Sequence, residues 1–251
     1  MIFQRYGPQW VGRFGALLSE SRLIHGFSTR KGGVSISPFD SLNLGINTPD
    51  DPNNVSMNQQ RFFSLLGLSA NQLSYPNQIH GDRIRVIRVP GGYEQTDAMI
   101  TKTAQVALSV QVADCVPVYL FDPSVPCIGL VHAGWRGTAS RITCKTVQTM
   151  IRLLKANPKS IQAFIGPSIG PCCYAVGKTV QIRFDSHYIK NQHLDLWTCN
   201  RDQCQEAGIP RRNITISGVC TRCHSQFFFS HRDSGGETGR MMAVMMLRGE
   251  G

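Results

Sequence analysis

The stretch Val106-Ala107-Leu108-Ser109-Val110-Gln111-Val112-Ala113-Asp114-Cys115-Val116-Pro117-Val118-Tyr119-Leu120-Phe121 runs through the turn-rich Asp122-Pro123-Ser124-Val125-Pro126 into Ile128-Gly129-Leu130-Val131-His132-Ala133-Gly134-Trp135-Arg136-Gly137. Its first part alternates: Val106, Leu108, Val110 and Val112 fall on one side, and Ala107, Ser109 and Gln111 on the other. That is the period of a β-strand. Val116–Phe121 and Ile128–Val131 read as two more strands, joined by a Pro-containing connector. A long helix is then expected over Thr138–Ala156. Thr138 stands at its N-cap, Ile142, Val147, Met150, Ile151 and Leu154 recur at helical spacing, and Asn157-Pro158 ends it.

Working outward, further strands are expected at Ile84–Val89, Ala163–Ile165, Ile214–Ser217, Phe227–Phe229 and Met241–Leu247. Helices are expected at Asn53–Leu66, stopped by Gly67, and at Lys178–Ile189 and Leu194–Ala207. Strands and helices mix without a regular βαβ metre, which favours α+β, or mixed α/β, with a mixed β-sheet and flanking helices. No repeat, low-complexity tract or linker interrupts the pattern, so residues 1–251 read as a single compact domain.

Composition narrows the function classes. The chain has 251 residues, 41% of them hydrophobic and 17% charged, which excludes an intrinsically disordered chain. The longest apolar run, Met241–Leu247, is far short of a membrane span, and the N-terminal stretch lacks the continuous apolar core of a secretory signal. Nine cysteines, an odd number, scatter from Cys115 to Cys223 and fit reduced thiols in a cytoplasmic protein better than a disulfide framework. Lys and Arg number 26 against 16 Asp and Glu, a net charge of +10 that points to an anionic partner. Basic residues adjoin only as Arg30-Lys31 and Arg211-Arg212, without an aromatic-laced stripe, which argues against dedicated nucleic-acid binding.

Reactive residues gather where strands end: Asn77-Gln78-Ile79-His80-Gly81, Ala113-Asp114-Cys115, His132-Ala133-Gly134-Trp135-Arg136-Gly137 and Gly166 to Tyr174. Two histidines and a cysteine, His80, Cys115 and His132, make three N/S donors. Zinc with three protein ligands keeps its fourth position for water or substrate, the catalytic arrangement. Their ligand atoms are expected within about 4 Å of one another, because Zn–N and Zn–S bonds are ~2.0–2.3 Å long. Arg136, just ahead of the expected helix, is read as an anion contact in the same pocket. Asp114 beside Cys115 is a candidate proton handler, although strand alternation leaves its direction open. A competing structural site from Cys199, Cys204, Cys220 and Cys223 is disfavoured, since the first two would fall on different faces of one helix. The charged segment Phe229–Arg240 is expected as a hairpin loop whose Arg232 and Arg240 either pair with acids or reach an anionic ligand.

These segments resemble a known family. They include Gly26-Phe27-Ser28-Thr29-Arg30-Lys31-Gly32-Gly33-Val34-Ser35, Ser41-Leu42-Asn43-Leu44-Gly45, Gln78-Ile79-His80-Gly81, Ala113-Asp114-Cys115-Val116-Pro117-Val118 and His132-Ala133-Gly134-Trp135-Arg136-Gly137. Gly166-Pro167-Ser168-Ile169-Gly170-Pro171-Cys172, the segment Phe228-Phe229-Ser230-His231-Arg232-Asp233 and Thr238-Gly239-Arg240-Met241 complete the series. In this order they are similar to the laccase-domain, or YfiH, family of purine nucleoside phosphorylases. The resemblance implies a compact α/β domain and a zinc site at His80, Cys115 and His132. It also implies phosphorolysis of adenosine, inosine and methylthioadenosine, with purine nucleoside and phosphate as partners, and deamination of adenosine. Asn43, Gln78 and Arg136 are the substrate contacts expected by their place in the motifs, with Asp114 and Arg136 as catalytic groups.

An older family label, copper-dependent polyphenol oxidase, leaves room for copper in the same site, and a homodimer is compatible with the family. Seven histidines, mostly isolated, are too few for several copper centres. A metal-stabilised module binding an anionic partner is the non-enzymatic alternative. The chain departs from the family in having only Arg232 before Asp233, a slightly long Ser234–Glu237 stretch, and cysteines at 172, 173, 199, 204 and 223. The His-x-Glu and Pro-Cys-x-x-Cys signature of the zinc nucleobase deaminases is absent.

Overall fold

Two β-sheets stack face to face in the computed structural model, which describes residues 1–249. The first has seven strands in the order Ile2–Tyr6, Gln9–Arg13, Leu23–Ser28, Met241–Leu247, Ala107–Val112, Leu73–Pro76 and Gly91–Tyr93. The second has six: Ile214–Ile216, Gln162–Ile165, Val116–Asp122, Cys127–Ala133, Ala98–Thr101 and Ile84–Val86. Both mix parallel and antiparallel pairs. The expected mixed sheet with outer helices is therefore a mixed α/β fold with two sheets inside.

Side-chain alternation explains the layering. In Met241–Leu247, Met241, Ala243, Met245 and Leu247 face the layer between the sheets, while Met242, Val244 and Met246 face the helix Pro52–Leu66. A strand buried on both faces must read as an unbroken apolar run. In Val116–Asp122, Tyr119 and Phe121 fill the layer between the sheets, and Val116, Val118 and Leu120 pack toward the helices Ile142–Thr149 and Leu196–Glu206. Four layers result: helix, sheet, sheet, helices. Burial of some 20 large apolar side chains in the middle layer alone holds the two sheets together.

Helix ends follow their local chemistry. Asp51 caps Pro52–Leu66 by accepting from the Asn53 amide, Pro52 occupies the first turn, and Gly67 closes the helix at φ 67°. Asp195 caps Leu196–Glu206 through the Thr198 amide.

Several expectations change. The helix over Thr138–Ala156 is three pieces: Trp135–Ala139, Ile142–Thr149 and a π-turn at Met150–Leu154. It begins at Trp135 with Gly134 as N-cap, so Thr138 lies inside the first piece, and Arg141 at φ 63° breaks the run. Lys178–Ile189 keeps only Lys178–Gln181 as α-helix and Ser186–Tyr188 as a 3-10 turn. Phe227–Phe229 is not a strand, and His231–Ser234 is a one-turn helix capped by Ser230 rather than a hairpin tip. Ile84–Val89 pairs only over Ile84–Val86.

Candidate active site

Three chain crossings between the sheets meet at one end of the sandwich. The chain leaves Ala107–Val112 of the first sheet and enters Val116–Asp122 of the second through Ala113-Asp114-Cys115, with Asp114 at φ 87°. It crosses again between Leu73–Pro76 and Ile84–Val86, with His80 at φ 59° in the connecting loop. Positive φ at non-glycine residues is strained and tends to concentrate at functional sites. The third crossing, from Gly91–Tyr93 to Ala98–Thr101, carries Asp97. His132 reaches the same place from the end of Cys127–Ala133.

His80, Cys115 and His132 come together there: one ligand atom of each lies within 4.8 Å of the other two. The two imidazoles meet edge to face with ring centroids 4.8 Å apart. Gly134 makes room for them, since a Cβ at that position would stand 3.0 Å from the Cys115 sulfur and 3.2 Å from a His80 ring carbon. Gly137 lets the short helix approach the His80 loop, because its Cβ would fall 2.8 Å from the Gly81 carbonyl oxygen. The glycines of His132-Ala133-Gly134-Trp135-Arg136-Gly137 are thus steric requirements of the site.

Asp97 organises the group and escaped the sequence reading. It is fully buried, and its Oδ1 lies 2.8 Å from His132 Nδ1. The same oxygen accepts from the His80 amide, while Oδ2 accepts from the amides of Gly81 at 2.8 Å and Ile79 at 3.3 Å. Burial by itself would raise its pKa; the His132 ring and these amides outweigh it and hold the carboxyl below its usual range. With Nδ1 engaged by Asp97, His132 has Nε2 left for a ligand, as in metal-binding histidines whose other ring nitrogen is held by a carboxylate. Burial would likewise raise the Cys115 thiol, but the charge and hydrogen bonds of His132 and His80 bring it down to about 6. Burial opposes a charged His132 too, yet Cys115 and Asp97 raise it to about 9. A soft thiolate with two imidazoles, one backed by a carboxylate, is a donor set that fits zinc.

The group opens into a cavity of about 560 Å³ lined by Gln78, Asp114, Trp135, Arg136, Ile169, Tyr174, His231, Arg232 and Arg240, among others. Three arginines, Arg136, Arg232 and Arg240, thus line the same cavity as the His/Cys/His group, with Arg232 also donating to the Ala175 carbonyl and Arg240 to those of Thr238 and Gly239. Arg136 lies over the Trp135 ring at 4.3 Å, and Arg232 over Tyr174 at 5.1 Å. The helix that begins at Trp135 has only five residues, Trp135–Ala139, with Arg136 in its first turn.

The other expected contacts are placed differently. Asn43 is fully buried and does not line the cavity. Its amide donates to Thr48 and Asp50 and accepts from the Gly45 and Arg240 amides, so it anchors the Arg240 backbone. Gln78 does line the cavity, but both its amide atoms pair with the Gln111 backbone, at 2.8 Å each, and pin the His80 loop to the first sheet. Asp114 points inward and is already held by Thr221, Ser230 and the Arg232 amide. These contacts tie the cavity-lining Asp114 to the backbone of Arg232. Cys199 and Cys204 are buried among core side chains, away from Cys220 and Cys223, so the competing four-cysteine set does not assemble.

Comparisons with known proteins identify the family. The sequence pattern of the family described as multi-copper polyphenol oxidoreductase laccase matches residues 24–248. A purine nucleoside phosphorylase of Deinococcus radiodurans is 39% identical over 231 residues, covering 89% of this chain and 88% of the relative. A protein named adenosine deaminase RL5, from an unknown prokaryotic organism, is 33% identical, covering 86% of this chain and 91% of its own length. The crystal structure of YlmD from Geobacillus stearothermophilus superposes with a TM-score of 0.90 at 33% identity, covering 99% of both chains. The chain belongs to the laccase-domain family that includes the YfiH and YlmD proteins.

Proposed function

We propose that the chain is a metal-dependent purine nucleoside phosphorylase that also deaminates adenosine, with His80, Cys115 and His132 as the metal ligands. The observation that carries this reading is the coincidence of a His/Cys/His group with three arginines in one cavity. In phosphorolysis a phosphate oxygen bonds to C1′ of the pentose as the bond from C1′ to the purine nitrogen breaks. Arg136, Arg232 and Arg240 supply the charge that holds phosphate there and stabilise the charge that develops. Tyr174, Trp135 and Ile169 give the cavity an apolar wall against which a purine and its pentose can lie. Zinc bound at the floor would supply Lewis acidity. In adenosine deamination water adds at C6 of the purine and the 6-amino group leaves as ammonia, with the bond to C1′ kept; the relative named adenosine deaminase supports this second reaction.

A multicopper oxidase reading fits less well. Copper also accepts imidazole and thiolate, but multicopper chemistry needs several histidine-rich centres. Among the described residues, only one potential metal group contains histidine, and it has two. The nine free cysteines support a reducing compartment, and we place the activity in the cytoplasm. No helix among the described residues is long and apolar enough to cross a membrane.

Purified protein, stripped and reloaded with zinc or copper, should be assayed on inosine, adenosine and methylthioadenosine with and without phosphate. Phosphate-dependent release of free base by the zinc form supports the proposal. Oxidation of phenols by the copper form, with no base released from any nucleoside, would overturn it.

A further inference from the structure

A second concentration of sulfur lies behind the cavity wall. Cys172 and Cys173 follow the strand Gln162–Ile165, and Cys220 and Cys223 follow its parallel partner Ile214–Ile216. Backbone pairing continues beyond the strand ends. The Ser217 amide donates to the Ile165 carbonyl at 2.9 Å, Ser168 to Val219 at 3.2 Å and Thr221 to Ser168 at 3.1 Å. The two cysteine-bearing segments are thus held in register before any side chain contributes.

All four sulfurs lie within 4.8 Å of one another. Cys223 Sγ stands 3.5 Å from Cys172 Sγ and 3.4 Å from Cys173 Sγ. A disulfide needs ~2.05 Å. A tetrahedron built on Zn–S bonds of ~2.3 Å has sulfur–sulfur edges of ~3.8 Å, much closer to what is seen. Cys220-Thr221-Arg222-Cys223 has the two-residue spacing of a zinc half-site. The Gly170 amide donates to Cys220 Sγ at 3.3 Å, a contact suited to a thiolate. Gly170 is also a steric requirement. A Cβ there would meet the Trp197 ring at 2.6 Å and Cys172 Sγ at 3.2 Å. Cys172 and Cys223 are exposed and Cys220 is buried, so an ion can enter from solvent and be closed in.

We propose that Cys172, Cys173, Cys220 and Cys223 form a closed structural site for a zinc-class soft cation, separate from the cavity floor. Four thiolates leave no position for substrate, so the ion acts as a cross-link between residues 166–174 and 217–224. The cross-link reaches the active site through Thr221, whose hydroxyl donates to Asp114 Oδ1 at 2.7 Å, and through the Ile169 amide, which donates to the Asp114 carbonyl at 3.0 Å. Asp114 adjoins Cys115, and Tyr174, next to Cys173, lines the cavity.

Metal content of the full chain, purified with reductant, tests the proposal without any activity assay. Cys223→Ser and Cys172→Ser should each carry one zinc equivalent fewer than wild type, whereas Cys115→Ala should keep the equivalent that they lose. Cobalt(II) supplies the second measurement, which serves even if the serine variants fail to fold. Loaded into Cys115→Ala, it should give an intense thiolate-to-cobalt charge-transfer band, because among the described residues these four make up the one remaining multi-cysteine group able to hold a metal. Cobalt-loaded Cys115→Ala with no such band, serine variants with the wild-type zinc content, or a Cys172–Cys223 disulfide in place of bound metal would each overturn the site.

Discussion

His80, Cys115 and His132 stand at the floor of a cavity with a buried carboxylate behind them. Cys172, Cys173 and Cys223 stand at or near the surface over a buried Cys220, whose sulfur accepts from the Gly170 amide. In the proposed reading, three mixed donors would leave a metal an open position facing the arginine-lined cavity, whereas four sulfurs would close on one another. The difference originates in the topology. In the first group His80 and Cys115 come from loops that cross between the sheets and His132 from the end of the strand Cys127–Ala133, so the group exists only where the two sheets are docked. The second joins two segments that extend neighbouring strands of one sheet. One arrangement is built to act on a ligand and the other to fasten two loops together.

The largest expected effect separates the two at the level of turnover. Cys115→Ala or His132→Ala should lower kcat/KM for phosphorolysis on the order of 10³-fold. Cys223→Ser should change it by only a small factor, and steady-state kinetics on inosine compares them directly. Equal losses would erase the distinction between an acting and a fastening site.

Next comes Arg136→Ala, expected to cost ~2–4 kcal/mol of transition-state stabilisation in phosphorolysis and less in deamination, which consumes no phosphate. Both products from adenosine must be quantified. If the two activities fall together, Arg136 positions the nucleoside, and its assignment to phosphate must be dropped.

A smaller effect probes the carboxylate that only the first group possesses. Asp97→Asn removes the charge behind His132 and should weaken metal binding there by ~10–100-fold, read by chelator competition, with metal at the four cysteines unchanged. Unaltered affinity at the His/Cys/His group would show that Asp97 serves only the loop amides it binds.

Stability should respond in the opposite sense. In the Cys115→Ala background, chelation should lower Tm by roughly 4–8 °C if the cross-link contributes ~2 kcal/mol. Adding Cys223→Ser should remove that sensitivity. A chelator-sensitive Tm in the double variant would place the stabilising metal elsewhere.

The smallest effect is chemical and appears in metal-stripped protein. Cys115, held at about 6 by its histidines, should be a thiolate at neutral pH and lose reactivity as pH falls through that value. Burial and the neighbouring Cys223 thiol push Cys173 up to about 11, so its alkylation should keep rising into alkaline solution. Mass spectrometry of iodoacetamide-treated protein across pH gives both midpoints. Coincident midpoints would remove the electrostatic contrast between the clusters.

Much of this was legible in the sequence because it depends on local period or local chemistry. Met241–Leu247 and Ala107–Val112 show their burial in the order of their side chains, and His80, Cys115 and His132 can be grouped by donor type alone. Tertiary facts stayed hidden. Arg141 has no residue signature for the left-handed turn that divides the expected long helix. Asp97 is one acid ahead of one apolar strand, and its role depends on a loop 16 to 18 residues away folding its amides onto it. Asn43 sits in a motif that suggests contact with substrate, whereas its amide is spent on the chain itself. The pairing of Cys172 and Cys173 with Cys220 and Cys223 follows from a parallel strand pair that no spacing rule encodes.

The place of Met241–Leu247 sets the order in which the molecule can be made. This strand lies between Leu23–Ser28 and Ala107–Val112 and hydrogen-bonds to both, yet the ribosome delivers it long after them. Until then the two earlier strands present unpaired edges and an uncovered apolar face, the condition under which chains associate wrongly. The sandwich must therefore close late, through contacts distant in sequence, and its folding is expected to be slow and to rely on protection of the nascent chain until the central strand has emerged.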